Sequence, residues 1–178
     1  MSKKLIILDR DGCINALKPT TKYIYQEKDF DIFPDVIDFV KKCLNANKKL
    51  AVATNQRGIS KGLYTLGDTM ALHSFFLSQI GSTKFDIPIF ICPHQVDICN
   101  CRKPRPGLLN SAMEHFAVEP HNAIFVGDNE SDRGAARNAK IDFMHIVRAS
   151  ERNGLDLRQT GEFSINSLDD QNFWEIIR

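Results

Sequence analysis

Four short apolar runs divide the chain, and polar residues follow each of them at once. The runs are Leu5–Leu8, Leu50–Ala53, Ile87–Ile91 and Ala123–Val126, and a weaker fifth run covers Phe143–Val147. Continuous apolar runs of this length are typical of strands that are buried on both faces of a parallel sheet. The pattern therefore predicts a mainly parallel sheet.

Apolar residues at helical spacing occupy the segments between these runs. They predict helices at 36–44, 66–80, 108–116, 132–139 and 168–177. Pro34 and Pro106 stand where two of these helices would begin, which is a common place for proline. Because strand and helix alternate, we expect an α/β fold. Residues 16–33 form the longest irregular stretch, which suits a substrate loop.

The order of strands and polar residues indicates where a ligand would bind. In open parallel sheets, ligands bind beyond the carboxyl ends of the strands. Four of the predicted strands end at Asp9, Thr54, Cys92 and Asp128. The sequence therefore predicts one site at this edge of the sheet.

Length, composition and charge favour a globular domain over a nucleic-acid-binding or membrane protein. The chain has 178 residues, of which 43% are hydrophobic and 25% charged, as expected for one globular domain over residues 1–178. Its 23 basic and 22 acidic residues give a net charge of +1, which disfavours bulk capture of nucleic acid. The first apolar run is too short for a signal peptide or a membrane span. We expect a cytoplasmic monomer without a membrane partner.

Two acidic motifs follow predicted strands. In the first, Asp9-Arg10-Asp11-Gly12, the two carboxylates can face one ligand while the glycine permits a sharp bend. Two carboxylates this close repel each other, so both stay ionised only beside a cation, and oxygen ligands suit Mg²⁺. The second motif is Gly127-Asp128-x-x-x-Asp132. The alternatives are a solvated turn for the first motif and an N-cap role for Asp132.

Two further motifs supply donors and positive charge. Thr54-Asn55-Gln56-Arg57 offers a hydroxyl, two amides and a guanidinium, which suit a phosphoryl group. Arg102-Lys103-Pro104-Arg105 forms a stiff cationic loop. Taken alone, the first motif is equally compatible with an ordinary polar loop, and the second is better explained as a solvated basic turn. Together with the acidic strand ends, they make a set suited to metal-assisted phosphoryl transfer.

Three of the five cysteines are crowded into one loop. Cys92, Cys99 and Cys101, with His94, form a Cys₃His set, which is the ligand pattern of structural zinc. Incidental thiols are the alternative. Since Arg102 and Lys103 follow Cys101 directly, a zinc ion in the loop 92–101 would fix where these two cations point.

The ordered motifs resemble those of the haloacid dehalogenase superfamily of phosphatases. Within it, Thr54–Gly58 and the segment from Cys92 to Gly107 are similar to the family of D-glycero-D-manno-heptose 1,7-bisphosphate 7-phosphatases. The resemblance implies a Rossmann-like three-layer sandwich with a zinc-binding loop. No inserted segment is large enough for a sizeable cap domain. It also implies a phosphorylated sugar as substrate, within the synthesis of bacterial surface carbohydrates.

The resemblance further implies roles for single residues. Asp9 would be the nucleophile, Asp11 the general acid and base, and Thr54 and Lys103 the groups that hold the phosphoryl oxygens. Mg²⁺ would be bound by Asp9, Asp128 and the main-chain carbonyl of Asp11. Asp132 would orient Lys103 or the metal's water ligands. The residues expected to contact substrate are Tyr23, Asn55, Gln56, Arg57, Arg102 and Asn129.

Two other functions fit parts of this pattern. Histidinol-phosphate phosphatase relatives share the zinc loop, although Pro106-Gly107 and Gly58-Ile59 favour the heptose family. A zinc-stabilised binding module without turnover would not need Asp9, Asp11, Lys103 and Asp128 together. We therefore expect a Mg²⁺-dependent phosphoric monoester hydrolase.

Overall fold

A parallel sheet forms the centre of the computed structural model, which describes residues 2–19, 23–83, 86–148 and 164–178. Its strands are β1 (Leu5–Leu8), β2 (Lys49–Asn55), β3 (Ile89–Cys92), β4 (Ala123–Gly127), β5 (Asp142–Ile146) and β6 (Ser164–Ile165). Their spatial order is β3-β2-β1-β4-β5-β6, and each neighbouring pair is parallel. The central strand β1 thus lies between β2 and β4.

The central strand is buried on both faces, as its continuous apolar run predicts. Side chains alternate across a strand, so Ile6 and Leu8 enter one hydrophobic cluster while Leu5 and Ile7 enter the other. All four are at most 1% exposed. The two clusters are the two interfaces of a three-layer structure.

Helices cover both faces of the sheet. They are α1 (Pro34–Asn45), α2 (Leu66–Ile80), α3 (Gly107–Phe116), α4 (Glu130–Ala139) and α5 (Gln171–Ile177). α1, α2 and α5 pack on the face of Ile6 and Leu8, and α3 and α4 pack on the other face. The prediction of an α/β sandwich without a large cap is confirmed. Among the described residues, no helix is both long and apolar enough to span a bilayer.

Several boundaries differ from those expected. Thr54 lies within β2 rather than after it, and Cys92 is the last residue of β3. α4 begins at Glu130, because Asn129 is the N-cap and its side chain accepts from the Asp132 N–H, so Asp132 is not the cap. Strand β6 has only two residues, which are too few to show the residue pattern that predicts a strand.

The single-domain prediction for 1–178 stays a prediction.

The expected substrate loop, 16–33, is only partly regular. Glu27–Asp29 forms a short 3₁₀ turn, and Asn15 pairs with Ile32 in an isolated bridge that closes the loop at its base. Residues 20–22 of this loop lie outside the described residues.

A largely buried ion pair joins α1 to the segments that follow β5 and β6. Asp35 Oδ2 accepts hydrogen bonds from Arg148 Nη1 at 2.7 Å, Ser167 Oγ at 2.9 Å and the Leu168 N–H at 2.7 Å. Burial raises the pKa of Asp35, but the Arg148 guanidinium and the other donors outweigh burial and hold that pKa below its ordinary value. Arg148 Nη2 also donates to the Cys13 carbonyl at 2.6 Å.

We expect Asp35→Asn to lower the free energy of unfolding at pH 7 by about 3 kcal/mol, because it leaves the Arg148 charge buried without its partner. Urea unfolding measures this loss, and Asp38→Asn on the exposed side of α1 is the matched control. Since the folded pKa of Asp35 is depressed, its contribution is fully present above the unfolded pKa of about 3.9. The difference between wild type and variant should therefore shrink as the pH falls below that value. Equal stability of the two proteins at pH 7 would contradict this account.

Candidate active site

The carboxyl ends of β1 and β4 bring two aspartates together. Leu8 pairs with Val126 across the two strands, so the residues that follow, Asp9 and Gly127-Asp128, emerge side by side. The Asp9 N–H donates to the Val126 carbonyl at 2.9 Å, which fixes the backbone of Asp9 at this edge. The strand register thus determines where the two carboxylates meet.

Three carboxylates form a compact group at this edge. Carboxylate oxygens of Asp9, Asp128 and Asp132 all lie within 4.8 Å of one another. Gly12 makes room for them: its φ is +92°, and a Cβ atom there would lie 2.1 Å from Asp128 Oδ2. The sharp bend expected after Asp11 therefore also allows the backbone to approach Asp128.

A buried lysine neutralises part of this negative charge. Lys103 is 3% exposed, and its Nζ lies 2.6 Å from Asp9 Oδ1 and 2.6 Å from Asp132 Oδ1. Lys103 Nζ also donates to the Ala53 carbonyl at 3.0 Å. Asp132 therefore holds the ammonium group of Lys103 against Asp9.

The net charge of the three carboxylates and Lys103 favours the binding of a further cation. Burial raises the pKa of Asp9; Lys103 opposes this, while Asp132 and Asp128 add to it. Burial alone would lower the pKa of Lys103, but Asp132 and Asp9 outweigh burial and raise it. Three carboxylates against one ammonium group leave a net negative charge, and an oxygen-only donor set suits Mg²⁺. The residues present therefore fit a magnesium ion.

Asp11 faces a different set of groups. Its carboxylate accepts hydrogen bonds from Arg10 Nη2 at 2.9 Å, Asn15 Nδ2 at 3.1 Å and Gln56 Nε2 at 2.8 Å. The carboxylate of Asp11 is outside the group formed by Asp9, Asp128 and Asp132. A metal contact through its main-chain carbonyl stays a prediction. The three donors fix the orientation of the Asp11 side chain.

Three residues of this network have no role in the sequence analysis, namely Arg10, Asn15 and Tyr64. Arg10 is 2% exposed and donates to Asp11 and to the Ile24 carbonyl, so it joins the first motif to the expected substrate loop. Tyr64 Oη donates to Gln56 Oε1 at 2.5 Å, which orients the amide towards Asp11 and Thr54. The position of Arg10, between two aspartates and next to a buried strand, could have indicated a role in the site. No sequence pattern indicates Tyr64, because only the folded chain brings it to Gln56.

The amides expected to contact substrate make structural hydrogen bonds. Asn55 Oδ1 accepts from the Lys103 N–H and Asn55 Nδ2 donates to the Lys103 carbonyl, both at 3.1 Å. Asn129 caps α4 and donates through Nδ2 to Asp128 Oδ1 at 3.1 Å. Gln56 is 2% exposed. These three side chains therefore orient the catalytic candidates in the structure described here.

Two contiguous cavities open beside these groups. The first, the carboxylate cavity, has a volume of about 390 Å³ and is lined by Asp9, Thr54, Lys103 and Asp128, among others. The second, the side cavity, has a volume of about 260 Å³ and is lined by residues that include Tyr23, Gln56 and Arg57. The two cavities share the lining residues Asp11, Leu17, Asn55 and Arg102. The site residues predicted from the sequence thus line these two cavities. The exceptions are Asp132 and the Cys₃His set.

The Cys₃His set forms a second cluster. Its four ligand atoms lie within 4.8 Å of one another. Cys92 Sγ is 3.6 Å from Cys99 Sγ and 3.7 Å from His94 Nδ1, and Cys101 Sγ is 3.3 Å from His94 Nδ1. A tetrahedral zinc site with bonds of about 2.0–2.3 Å has its ligand atoms roughly 3.5–3.8 Å apart. The cluster therefore fits a zinc ion with four protein ligands.

This cluster is tied to the loop that carries Lys103. The Arg102 N–H donates to Cys99 Sγ at 3.4 Å, and Arg105 Nη1 donates to the Cys99 carbonyl. The start of α3 packs closely on the same loop, since a Cβ atom at Gly107 would lie 2.5 Å from the Asn100 carbonyl. The thiol cluster and α3 therefore hold the loop backbone from both sides.

Known proteins are similar in sequence to the part of the chain that forms β1–β5. The sequence model of the haloacid dehalogenase-like hydrolase family matches residues 2–146. The D-glycero-alpha-D-manno-heptose-1,7-bisphosphate 7-phosphatase of Campylobacter jejuni is 37% identical over 89% of this chain and 91% of its own length. The corresponding beta-anomer 7-phosphatase of Pseudomonas aeruginosa is also 37% identical, over 77% of each chain.

A solved structure shares the fold. The D,D-heptose 1,7-bisphosphate phosphatase of B. bronchiseptica, crystallised with magnesium and phosphate, superimposes with a TM-score of 0.78. It is 29% identical to this chain, and the match covers 93% of each protein. On the family match and the identity to these relatives, the chain belongs to the haloacid dehalogenase-like hydrolases.

Proposed function

We propose that this protein is a Mg²⁺-dependent phosphatase that removes the 7-phosphate of D-glycero-D-manno-heptose 1,7-bisphosphate. The observation that carries the proposal is the contact of Lys103 with Asp9 beside Asp128, at the wall of an open cavity. The names of the similar enzymes support the sugar substrate. The product would serve bacterial nucleotide-heptose synthesis for lipopolysaccharide or capsule.

In the proposed first step, the Asp9 carboxylate attacks the phosphorus of the 7-phosphate. A bond forms between an Asp9 oxygen and phosphorus, the bond from phosphorus to the sugar oxygen breaks, and Asp11 donates a proton to that oxygen. Lys103 and Thr54 bind the phosphoryl oxygens as charge develops on them. A magnesium ion held by Asp9, Asp128 and the Asp11 carbonyl would reduce the repulsion between carboxylate and phosphate.

In the second step, water hydrolyses the aspartyl-phosphate. Asp11 takes a proton from the attacking water, the bond between phosphorus and the Asp9 oxygen breaks, and inorganic phosphate leaves. The hydrogen bonds of Arg10, Asn15 and Gln56 keep the Asp11 carboxylate directed for both transfers. The same proposal includes the substrate contacts expected from the sequence, which we assign to Tyr23, Asn55, Gln56, Arg57, Arg102 and Asn129.

We further propose that Cys92, His94, Cys99 and Cys101 bind a structural zinc ion. The spacing of their ligand atoms supports this. Zinc in a closed four-ligand site stabilises a fold rather than reacting. Here it would fix the loop that presents Arg102 and Lys103. A monomer in the cytoplasm, without nucleic acid or membrane partners, completes the proposal.

We expect Asp9→Asn to lower kcat on the heptose bisphosphate by at least about 10³-fold, because an amide oxygen is a poor nucleophile. The measurement is phosphate release in the presence of Mg²⁺, with circular dichroism to verify the fold. Asp38→Asn, on the surface of α1, is the matched control and should retain full activity. Substantial residual turnover by the purified Asp9 variant would remove Asp9 as the nucleophile.

We expect only the phosphate at carbon 7 to be released. ³¹P NMR of the reaction with each anomer should show inorganic phosphate and a product that keeps its 1-phosphate. Histidinol phosphate, assayed in parallel, should be a much poorer substrate. Preferential hydrolysis of histidinol phosphate would contradict the proposed sugar specificity.

We expect protein purified without chelator to contain about one zinc ion per chain. Cys101→Ser should lose most of this zinc and lower kcat, because Lys103 is only two residues away and loses its fixed loop. Cys43→Ala removes a thiol that lies in the core outside the cluster and should keep the zinc. Elemental analysis that finds no zinc in the wild-type protein would refute the assignment.

A further inference from the structure

A chain of buried hydrogen bonds joins Tyr64 to Thr54 through the side chain of Gln56. Tyr64 Oη lies 2.5 Å from Gln56 Oε1. At the other end of the amide, Gln56 Nε2 lies 2.8 Å from Thr54 Oγ1 and 2.8 Å from Asp11 Oδ2. Tyr64, Gln56 and Thr54 are each at most 6% exposed. Polar groups buried in this way depend on one another for their hydrogen bonds.

The chemistry of the partners fixes the direction of these bonds. An ionised carboxylate only accepts, so Asp11 requires the amino end of the Gln56 amide. The amide oxygen also only accepts, so Tyr64 donates its hydroxyl proton to it. Burial raises the pKa of Tyr64 to about 12, although Arg10 opposes this shift, so the hydroxyl keeps its proton at neutral pH. The requirement that Tyr64 places on the amide holds whatever the protonation state of Asp11.

This direction leaves the hydroxyl proton of Thr54 unused. Thr54 Oγ1 accepts from Gln56 Nε2, so that bond does not take the proton of Thr54 itself. Within the part of the chain that the structure describes, no protein acceptor takes this proton. Thr54 lines the carboxylate cavity together with Asp9. With the amide reversed, Thr54 would donate to Gln56 Oε1 and would have no proton left for a group in the cavity.

The contacts around Tyr64 fix its position relative to Gln56. The ring of Tyr64 stacks on that of Tyr25, with 5.2 Å between the ring centres and 8° between the planes. Gly58 packs so closely on Tyr64 that a Cβ atom there would lie 2.0 Å from the ring. The loop folds back at this point, since the Leu63 N–H donates to the Gly58 carbonyl at 3.0 Å. The hydroxyl of Tyr64 is therefore already directed at the amide in the structure without substrate.

We propose that Tyr64 is a positioning residue that acts through Gln56 to keep Thr54 a hydrogen-bond donor to the phosphoryl group. The inference rests on the proposed function, because it assumes that the phosphoryl group is transferred to Asp9 in the carboxylate cavity. A hydroxyl that already accepts a hydrogen bond is a stronger donor, and this donor is in place before charge develops on the phosphoryl oxygens. Tyr64 itself lines neither cavity.

The test is a double-mutant cycle of Tyr64→Phe and Thr54→Val, measured by phosphate release from the heptose bisphosphate. Tyr64→Phe removes the hydroxyl and keeps the stacked ring, so we expect kcat to fall about tenfold while KM stays within about twofold. In the Thr54→Val background no hydroxyl is left to direct, and Tyr64→Phe should lower kcat by less than about twofold. Thr54→Ser is the matched control: it keeps a hydroxyl, so Tyr64→Phe should again cost about tenfold.

Inhibition constants supply a measurement that a purely structural role would not change. Vanadate adopts the five-coordinate geometry of the transition state, whereas inorganic phosphate resembles the ground state. We expect Tyr64→Phe to raise the inhibition constant of vanadate about tenfold and that of phosphate by less than about twofold. An equal rise for the two anions would contradict a role in the transition state.

Each outcome has a separate meaning. If wild type hydrolyses the bisphosphate and Tyr64→Phe keeps its kcat, the positioning role is wrong and the proposed function stands. Losses that multiply in the double variant, or a Tyr64→Phe protein without a native circular dichroism spectrum, also overturn the positioning role. If wild type does not hydrolyse the bisphosphate, the proposed function fails, and the same cycle with an aryl phosphate then tests Tyr64 alone.

Discussion

The ammonium group of Lys103, buried between Asp9 and Asp132, is the interaction on which the rest of the site depends. Its Nζ lies 2.6 Å from an oxygen of each carboxylate, and all three side chains are almost inaccessible to solvent. Buried charges are costly unless they are paired with good geometry, and removing one partner leaves the others uncompensated. The sequence must therefore place a cation from a loop accurately against the end of β1 and the first turn of α4.

Different parts of the fold position the three aspartates and the loop that carries Lys103. The parallel sheet places Asp9 and Asp128 through strand register, and the capping box of α4 directs Asp132 towards them. The loop backbone at Lys103 is instead bound by the Asn55 amide. The thiol cluster anchors the same loop to the end of β3. A rigid loop of this kind preorganises its cation before substrate arrives.

Local patterns were sufficient to predict the features that the chain encodes in short segments. Buried apolar runs gave the strands that lead to Asp9 and Asp128, and the spacing of three cysteines and a histidine gave the thiol cluster. The cap at Asn129 was also readable, since Asn129 and Asp132 stand at the spacing of a capping box. The alternative of an N-cap at Asp132 is wrong by three residues, because Asp132 is the N3 partner of Asn129 in this box.

Other features depend on contacts between distant parts of the chain. Gln56 donates a hydrogen bond to Asp11, 45 residues away in the chain, and no spacing in the sequence predicts this contact. Tyr64 orients Gln56 only after its loop has folded back. The role of Asn55 is similar, because its amide meets the Lys103 backbone 48 residues away. Polar residues near a predicted site are therefore easy to find, but whether they serve the substrate or each other is a tertiary question.

The ion pair of Asp35 and Arg148 joins α1 to residues that lie beyond the family match. The family match ends at residue 146, whereas the donors to Asp35 come from residues 148, 167 and 168. α5 also stacks Phe173 on Phe39, with 5.6 Å between the ring centres. Residues beyond the family match thus complete the surface of α1, and Arg148 reaches the Cys13 carbonyl in the segment that follows Asp9. A substitution in the C-terminal part of the chain can therefore disturb α1 and, through Arg148, the backbone at Cys13.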